Sequence, residues 1–219
     1  MSHALETLLQ DPRIWQARRT ERADSPAHAS GHATLDQLLP GGGWPCGTLT
    51  ECLLPHAGIG EIRLLAPLMA RLTQAGQKLF WIDPPYAVNA LALAALDVVP
   101  EHLVVIRTRD TEDQIWCWEQ IARSPASALT LGWADRLRTS QLRRLQLAAT
   151  HSTGPTLLMR PAQAMQQASP AGLRLVLSAQ PDGIRVEVIK RRGGWALPPR
   201  SIAWPGNNLS HLHTHRPAG

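Results

Sequence analysis

The fold of this 219-residue chain is decided by one stretch, Leu54-Pro55-His56-Ala57-Gly58-Ile59-Gly60-Glu61-Ile62-Arg63-Leu64. An apolar, strand-like segment from Thr48 to Leu54 precedes the two glycines, and leucines at helical spacing follow them. A strand, a glycine-containing turn and a helix in this order form the setting of a phosphate-binding loop. The stretch therefore predicts the first strand-loop-helix unit of a nucleotide-binding fold.

The residues that bind phosphate are missing from this loop. A working loop continues with lysine and then serine or threonine, which hold the phosphates and ligate magnesium. After Gly58 and Gly60, this chain has Glu61 at the lysine position and Ile62 at the hydroxyl position. Placing a carboxylate where a cation faced phosphate reverses an interaction of about 4 kcal/mol, at 4 Å and an effective dielectric of 20. We expect no nucleotide cofactor, and we expect Glu61 to take the place of the phosphate in the first helical turn.

One alternative is an ordinary strand-turn-helix over 54–64 that never bound phosphate. Against it, other groups of a P-loop ATPase are missing in a concerted way. The candidate Walker B strand, Ala128–Leu131, has no carboxylate at its end, and Asp135 lies too far on. Pro85 stands at the position of the general base, two residues beyond Asp83. In a RecA-like ATPase, the strand that corresponds to 155–160 ends in a polar residue that senses the γ-phosphate. Here it ends in Arg160-Pro161.

Strand-like and helix-like segments alternate along most of the chain. Helical patterns cover 61–75, 87–96, 112–123 and 140–150, and apolar strand patterns cover 79–82, 102–106, 128–131 and 156–159. This alternation predicts an α/β fold with a mainly parallel central sheet covered by helices. Near the end, 173–177 and 184–188 alternate in polarity around the turn at 181–183. We therefore expect a C-terminal antiparallel hairpin.

Composition narrows the class of protein. The net charge is +5, and arginine carries almost all of the positive charge, because the only lysines are Lys78 and Lys190. Arginine pairs well with phosphates and carboxylates, so an acidic protein or nucleic acid is a plausible partner. The three cysteines are an odd number without metal-ligand spacing. No apolar run approaches the ~20 residues that span a bilayer. We expect a reduced, cytoplasmic protein with no membrane partner.

Two basic clusters are candidate contacts for a partner protein or nucleic acid. Lys190, Arg191 and Arg192 follow the last strand pattern, and Arg143 and Arg144 lie opposite the leucines of helix 140–150. The alternative in both cases is a solvated surface without a partner. Together with Arg136 and Arg138, the helix arginines form a hypothetical patch that contacts a phosphate backbone.

The eight tryptophans are the other unusual feature, since the chain has one Phe and one Tyr. Trp81 and Trp118 lie on apolar patterns, which predicts that they belong to the core. Four others flank turns or strand ends, where tryptophan is a candidate anchor for a partner: Trp44, Trp133, Trp195 and Trp204.

An ordered set of motifs resembles the core of RecA and, more specifically, the ImuA family of bacterial mutagenesis cassettes, which is related to RecA and to the SulA division inhibitors. The set covers roughly residues 30–195. It consists of Leu39-Pro40-Gly41-Gly42-Gly43-Trp44-Pro45, Gly58-Ile59-Gly60-Glu61, Asp83-Pro84-Pro85, Arg143-Arg144-Leu145-Gln146-Leu147-Ala148-Ala149, Ser169-Pro170-Ala171, Leu173-Arg174-Leu175 and Lys190-Arg191-Arg192-Gly193-Gly194.

The resemblance implies a RecA-like three-layer fold. The sequence patterns predict an N-terminal helix and a flexible linker in 1–30, the RecA-like domain with its degenerate loop in 31–204, and a disordered tail in 205–219. The implied function is that of a non-enzymatic adaptor in SOS-induced, error-prone translesion DNA synthesis. The implied partners are an ImuB-type homologue of Y-family polymerases, RecA and, indirectly, the error-prone replicative-type DNA polymerase of the same cassette, with weak and non-specific contact to DNA.

Three rival functions stay open at this level. A SulA-like inhibitor would bind the tubulin-like division protein and cause filamentation on overexpression. A true ATPase would bind ATP in the presence of magnesium. A sequence-independent DNA-binding protein would lose affinity steeply as the salt concentration rises.

Overall fold

The structure is a computed structural model that describes residues 26–192 and 194–204. The predicted N-terminal helix and the predicted tail at 205–219 lie outside the described residues. Residues 26–30, which the sequence assigned to the linker, lie within the folded part. Ala27–His28 form a short strand, and Ser30 is buried with its N–H donating to Asp36.

Ten strands and five α-helices form the described part, together with three short 3₁₀ helices at 40–42, 100–102 and 162–166. The strands are β1 (Ala27–His28), β2 (Trp44–Pro45), β3 (Leu49–Leu54), β4 (Lys78–Ile82), β5 (Leu103–Ile106), β6 (Ser127–Trp133), β7 (Thr156–Pro161), β8 (Leu173–Gln180), β9 (Gly183–Arg191) and β10 (Leu197–Ala203). The helices are α1 (Ala33–Asp36), α2 (Glu61–Gln74), α3 (Ala90–Ala94), α4 (Thr111–Ala122) and α5 (Thr139–Ala149).

Eight of these strands form one sheet in the order β10-β9-β8-β3-β7-β6-β4-β5. The neighbours from β8 to β5 all pair in parallel, whereas β9 is antiparallel to both β8 and β10. The predicted α/β fold, with a mainly parallel sheet and antiparallel strands at its C-terminal end, is confirmed. The strand before the degenerate loop, β3, lies in the middle of the sheet, so both of its faces are buried.

Helices cover the sheet on both faces. One core contains the inner leucines of α2 together with Cys52, Trp81 and Leu131 from the sheet. The other contains Trp118 of α4 and the inner leucines of α5. Alternate residues of the central strands face the two cores, which makes three layers and leaves the carboxyl ends of the parallel strands at one edge.

Two elements differ from their sequence patterns. The helix predicted at 87–96 is shorter in the structure, Ala90–Ala94, because Asn89 caps it by accepting the N–H of Ala92. The strand β10 was not predicted from the sequence, and it contains Pro198 and Pro199, a residue type that is depleted in strands. Proline lacks an N–H donor and is tolerated in edge strands, and β10 is the edge strand of this sheet. Among the described residues, no helix is long and apolar enough to cross a membrane.

Candidate functional site

The degenerate loop connects Leu54, the last residue of β3, to Glu61, the first residue of α2. Two of its residues have positive φ angles, 86° at Gly58 and 105° at Gly60. Only glycine adopts such angles without strain. The glycines therefore give the backbone the curvature that turns a central strand directly into a helix.

Glu61 is turned inward, and its side chain is bonded to the loop itself. The residue is 3% exposed. Its Oε1 accepts the backbone N–H of Gly58 at 2.8 Å, while its Oε2 is buried without a hydrogen-bond partner among the described residues. The carboxylate thus takes a loop N–H group that a phosphate-binding loop offers to its ligand. It bonds back to the loop rather than to the first amides of the helix.

A cavity of about 210 Å³ opens beside Glu61 at the carboxyl edge of the sheet. Its lining is mostly apolar and comes from the loop, the segment after β4, α3 and the end of β6. The lining residues are Gly58, Glu61, Ile62, Trp81, Pro84, Pro85, Tyr86, Ala87, Val88, Asn89, Ala92, Leu93, Leu96 and Trp133. Ile62, at the hydroxyl position of a working loop, gives this wall an apolar surface where magnesium would need oxygen ligands.

Two tryptophans form part of the cavity wall. The rings of Trp81 and Trp133 meet edge to face, with 5.5 Å between their centroids. Both indole nitrogens are buried without a hydrogen-bond partner in the part of the chain described. Tyr86 stands at the rim and is 65% exposed. The site therefore combines aromatic surface with unpaired donors and one unpaired carboxylate oxygen.

Asp83 corresponds to the aspartate that ends the strand after the P-loop helix in a RecA-like core. Its carboxylate is occupied by hydrogen bonds within the fold. Its Oδ1 accepts the backbone N–H of Thr108 at 2.7 Å, and its Oδ2 accepts the Thr108 hydroxyl and the Gln114 amide. These bonds hold its φ of 51°, an unusual value for a residue other than glycine. Pro85, at the position of the general base, is exposed and lines the cavity.

Among known proteins, no family model matches this chain. It is 30% identical over 105 residues to the RecA protein of Deinococcus radiodurans. The chain is similar to RecA. The match covers 48% of this chain and 29% of that protein, so the chain spans less than a third of the length of this relative. The similarity and the sheet together are consistent with a RecA-like fold.

Arg160, at the place of a γ-phosphate sensor in the RecA-like layout, belongs to a buried ion cluster. Its Nη1 lies 3.0 Å from Oε1 of Glu51, and Nε of Arg174 lies 2.6 Å from Oε2 of the same carboxylate. Glu51 is fully buried, between the two arginine-bearing strands β7 and β8. The second nitrogen of Arg160 donates to Gln167. Arg160 therefore has a structural role in this cluster, which lies on the sheet face that carries α5.

The loop is covered by a residue from the far edge of the sheet. Trp204 follows β10, is 9% exposed and packs on Gly60, where an added Cβ would lie 2.7 Å from its ring. Arg63 of α2 lies over the same ring, 5.0 Å from its centroid. The predicted role of Trp204 as a partner anchor is therefore wrong, because the side chain is buried against Gly60 of the degenerate loop.

Two of the four arginines of the hypothetical patch, Arg138 and Arg144, are paired within the chain. Arg144 bonds to Glu112 and Glu119 of α4 at 2.9 Å each, and Arg138 bonds to Glu112 at 3.1 Å. The hydrogen bond to Glu119 is the largest of the causes that raise the pKa of the Arg144 guanidinium. The hydrogen bond from Gln141, followed by that from Arg144, lowers the pKa of the Glu112 carboxyl. Arg143 is exposed, and no ion pair involves it among the described residues. Arg144 therefore stabilises the contact of α4 with α5, which weakens the hypothesis of a phosphate-binding patch.

The basic run near the C-terminus lies at a different place, the end of β9. Lys190 donates to the carbonyl of Ser169, and burial lowers its pKa, with Arg174 acting in the same direction. Arg191 donates to the carbonyl of Trp195, and Arg192 is exposed. Trp195 is 89% exposed, which makes it the most accessible tryptophan described. The structure brings these residues together at the end of β9, on a different element from Arg143 and Arg144 of α5.

The remaining tryptophans show which sequence interpretations held. Trp81 and Trp118 are buried, as predicted. Trp44 is fully buried, so its role as a partner anchor is also wrong.

The sequence reasoning missed the partners of Arg160 altogether. A signal was present, since Glu51 and Arg174 are charged residues inside central-strand patterns, where an unpaired charge costs several kcal/mol, on the order of 3–5.

Proposed function

We propose that this protein is a RecA-like accessory factor that binds no nucleotide and acts as an adaptor in SOS-induced, error-prone translesion DNA synthesis. The observation that carries the proposal is the Glu61 carboxylate bonded to the Gly58 N–H. A loop that bonds to its own side chain needs no phosphate to hold its shape. The adaptor therefore offers partners one constant surface, without a cycle of ATP binding and hydrolysis.

The proposed partners are an ImuB-type homologue of Y-family polymerases and RecA, with the error-prone replicative-type polymerase recruited through them. Support comes from the resemblance of the sequence motifs to the ImuA family and from the similarity to RecA. The exposed Trp195 beside Arg191 and Arg192 supports a protein contact at the end of β9, since Trp and Arg are enriched among residues that dominate binding energy.

Co-purification tests the partners. Tagged full-length chain is mixed with the ImuB-type protein or with RecA, at low and at physiological salt. We expect retention of the ImuB-type protein and at least tenfold weaker retention by a Trp195→Ala variant, about 1.4 kcal/mol. Trp116→Ala is the matched control, because Trp116 is also exposed but lies on α4. Failure of the wild type to retain either protein would reject the adaptor function.

Titration calorimetry with ATP and magnesium tests the loss of nucleotide binding. We expect no binding heat for the wild type, because the Glu61 carboxylate repels phosphate by about 4 kcal/mol at 4 Å and an effective dielectric of 20. A double variant, Glu61→Lys with Ile62→Thr, is expected to remain without ATP hydrolysis, since the Walker B acid and the general base are also absent. Magnesium-dependent binding of ATP by the wild type would contradict this prediction.

A further inference from the structure

Unpaired polar atoms are concentrated at the cavity beside Glu61. Seven buried side-chain nitrogen or oxygen atoms lack a hydrogen-bond partner in the described part of the chain. Three of them belong to residues that line this one cavity: Oε2 of Glu61 and the indole nitrogens of Trp81 and Trp133. A buried polar atom without a partner is costly, so such a concentration indicates a site that is completed by a ligand.

The chemistry of these atoms specifies the ligand. The Glu61 carboxylate is an acceptor and carries negative charge, so its free oxygen requires a donor, best a cationic one. The aromatic walls of Trp81 and Trp133 also favour a cation. The two indole nitrogens are donors and require acceptors, such as carbonyl oxygens. A planar guanidinium attached to a peptide backbone supplies both.

The size and rim of the cavity favour a protein as the source of that guanidinium. The volume of about 210 Å³ lies below the range of about 300–1,000 Å³ that is typical of small-molecule sites. At the rim, Tyr86 is 65% exposed. Leu91 is 83% exposed on α3, next to the lining residue Ala92. Exposed apolar side chains around a concave site are typical of protein interfaces.

The wall of the cavity is held in place by the fold. Arg107 donates to the carbonyls of Pro84 and Tyr86 and so fixes the segment after β4. On the other side, the hydrogen bond to Gly58 fixes the Glu61 carboxylate. A site with both walls fixed loses little conformational entropy when it binds.

We propose that this cavity, at the former phosphate site, binds an arginine side chain that is presented by a partner protein between apolar residues. The guanidinium donates to Oε2 of Glu61 and lies against the tryptophan rings, and the apolar neighbours of the arginine contact Tyr86 and Leu91. The inference deepens the proposed function, since it assigns one contact of the adaptor to a particular cavity. It reverses the charge of the ligand that a phosphate-binding loop takes.

Nuclear magnetic resonance of the ¹⁵N-labelled full chain tests the proposal. The probe is the tripeptide acetyl-Leu-Arg-Leu-amide, and the readout is the indole N–H signals of Trp81 and Trp133, assigned with Trp81→Phe and Trp133→Phe variants. We expect both signals to shift on titration. The citrulline tripeptide, which has the same shape without the charge, is expected to bind about tenfold more weakly or worse.

Two variants identify the carboxylate. Glu61→Gln keeps an acceptor for the Gly58 N–H and removes the charge, so we expect about the same tenfold loss for the arginine tripeptide. Glu101→Gln is the matched control, because Glu101 is exposed on a 3₁₀ helix outside the cavity, and we expect no change. Equal binding by Glu61→Gln and the wild type would overturn the proposal.

Other outcomes also decide against it. Absence of shifts at both tryptophans up to millimolar tripeptide would overturn the proposal, and so would equal affinity for the citrulline tripeptide. Methylguanidinium binding as tightly as the tripeptide would assign the cavity to a small cation. Shifts that depend on protein concentration without any peptide would assign it to a second copy of the chain. None of these measurements uses a polymerase or RecA, so a failure here is distinct from a failure of the co-purification.

Discussion

Replacing Glu51 with glutamine is expected to lower the free energy of unfolding by about 3–5 kcal/mol. Glu51 is the only carboxylate that the described structure places against both Arg160 and Arg174, at 3.0 Å and 2.6 Å. All three side chains lie at or below 9% exposure. Glutamine keeps the volume and removes the charge, so two guanidiniums stay buried without compensation. Urea unfolding of wild type and variant measures the difference.

The control for this prediction is Glu112→Gln. Glu112 also contacts two arginines, Arg138 and Arg144, but its side chain is 57% exposed, and exposed ion pairs contribute little to stability. Similar losses for the two variants would contradict the argument from burial. A triple variant, Glu51→Leu with Arg160→Met and Arg174→Met, removes all the buried charges together. It is expected to be near neutral or to gain about 1–4 kcal/mol.

Replacing Trp204 with alanine is expected to cost about 3–5 kcal/mol, as for other buried aromatic side chains. The indole is 9% exposed, packs directly on Gly60 and lies under the guanidinium of Arg63. Its loss leaves a cavity between the end of β10 and the degenerate loop. The free energy of unfolding of native proteins is only about 5–15 kcal/mol, so this single substitution is expected to remove a large part of it. The midpoint of urea unfolding measures it.

Trp195→Ala gives a matched comparison, because the same side chain is removed nine residues earlier in the sequence. Trp195 is 89% exposed, so its removal is expected to change the free energy of unfolding by no more than about 0.5 kcal/mol. Should Trp204→Ala prove too unstable to purify, Trp204→Phe retains part of the contact and is expected to lie between the two. A cost for Trp204→Ala as small as that for Trp195→Ala would show that Trp204 does not close the loop.

Local patterns predicted the fold and the loss of phosphate chemistry. The residues that decide the loop lie close together in the sequence: Gly58, Gly60, Glu61 and Ile62. The loss of phosphate-binding groups can therefore be predicted without knowledge of the rest of the chain. The alternation of strands and helices likewise gave the sheet its parallel character. The pattern failed at β10, where Pro198 and Pro199 masked an edge strand.

The sequence patterns did not predict which arginines are paired and which tryptophans are buried. The pattern of α5 showed that Arg143 and Arg144 face away from the leucines, but it could not show that Glu112 and Glu119 neutralise Arg144. Position beside a turn did not distinguish Trp44 and Trp204, which are buried, from Trp195, which is exposed.

The sequence by itself determined that β3 leads through a glycine loop into α2, and that this loop carries a carboxylate instead of a lysine. These are properties of neighbouring residues. Only the tertiary structure decided that Glu51 pairs with Arg160 and Arg174, that Trp204 covers Gly60, and that Trp81 and Trp133 share a cavity with Glu61. Each of these contacts joins residues far apart in the chain, and the order of the strands in the sheet determines which distant residues meet.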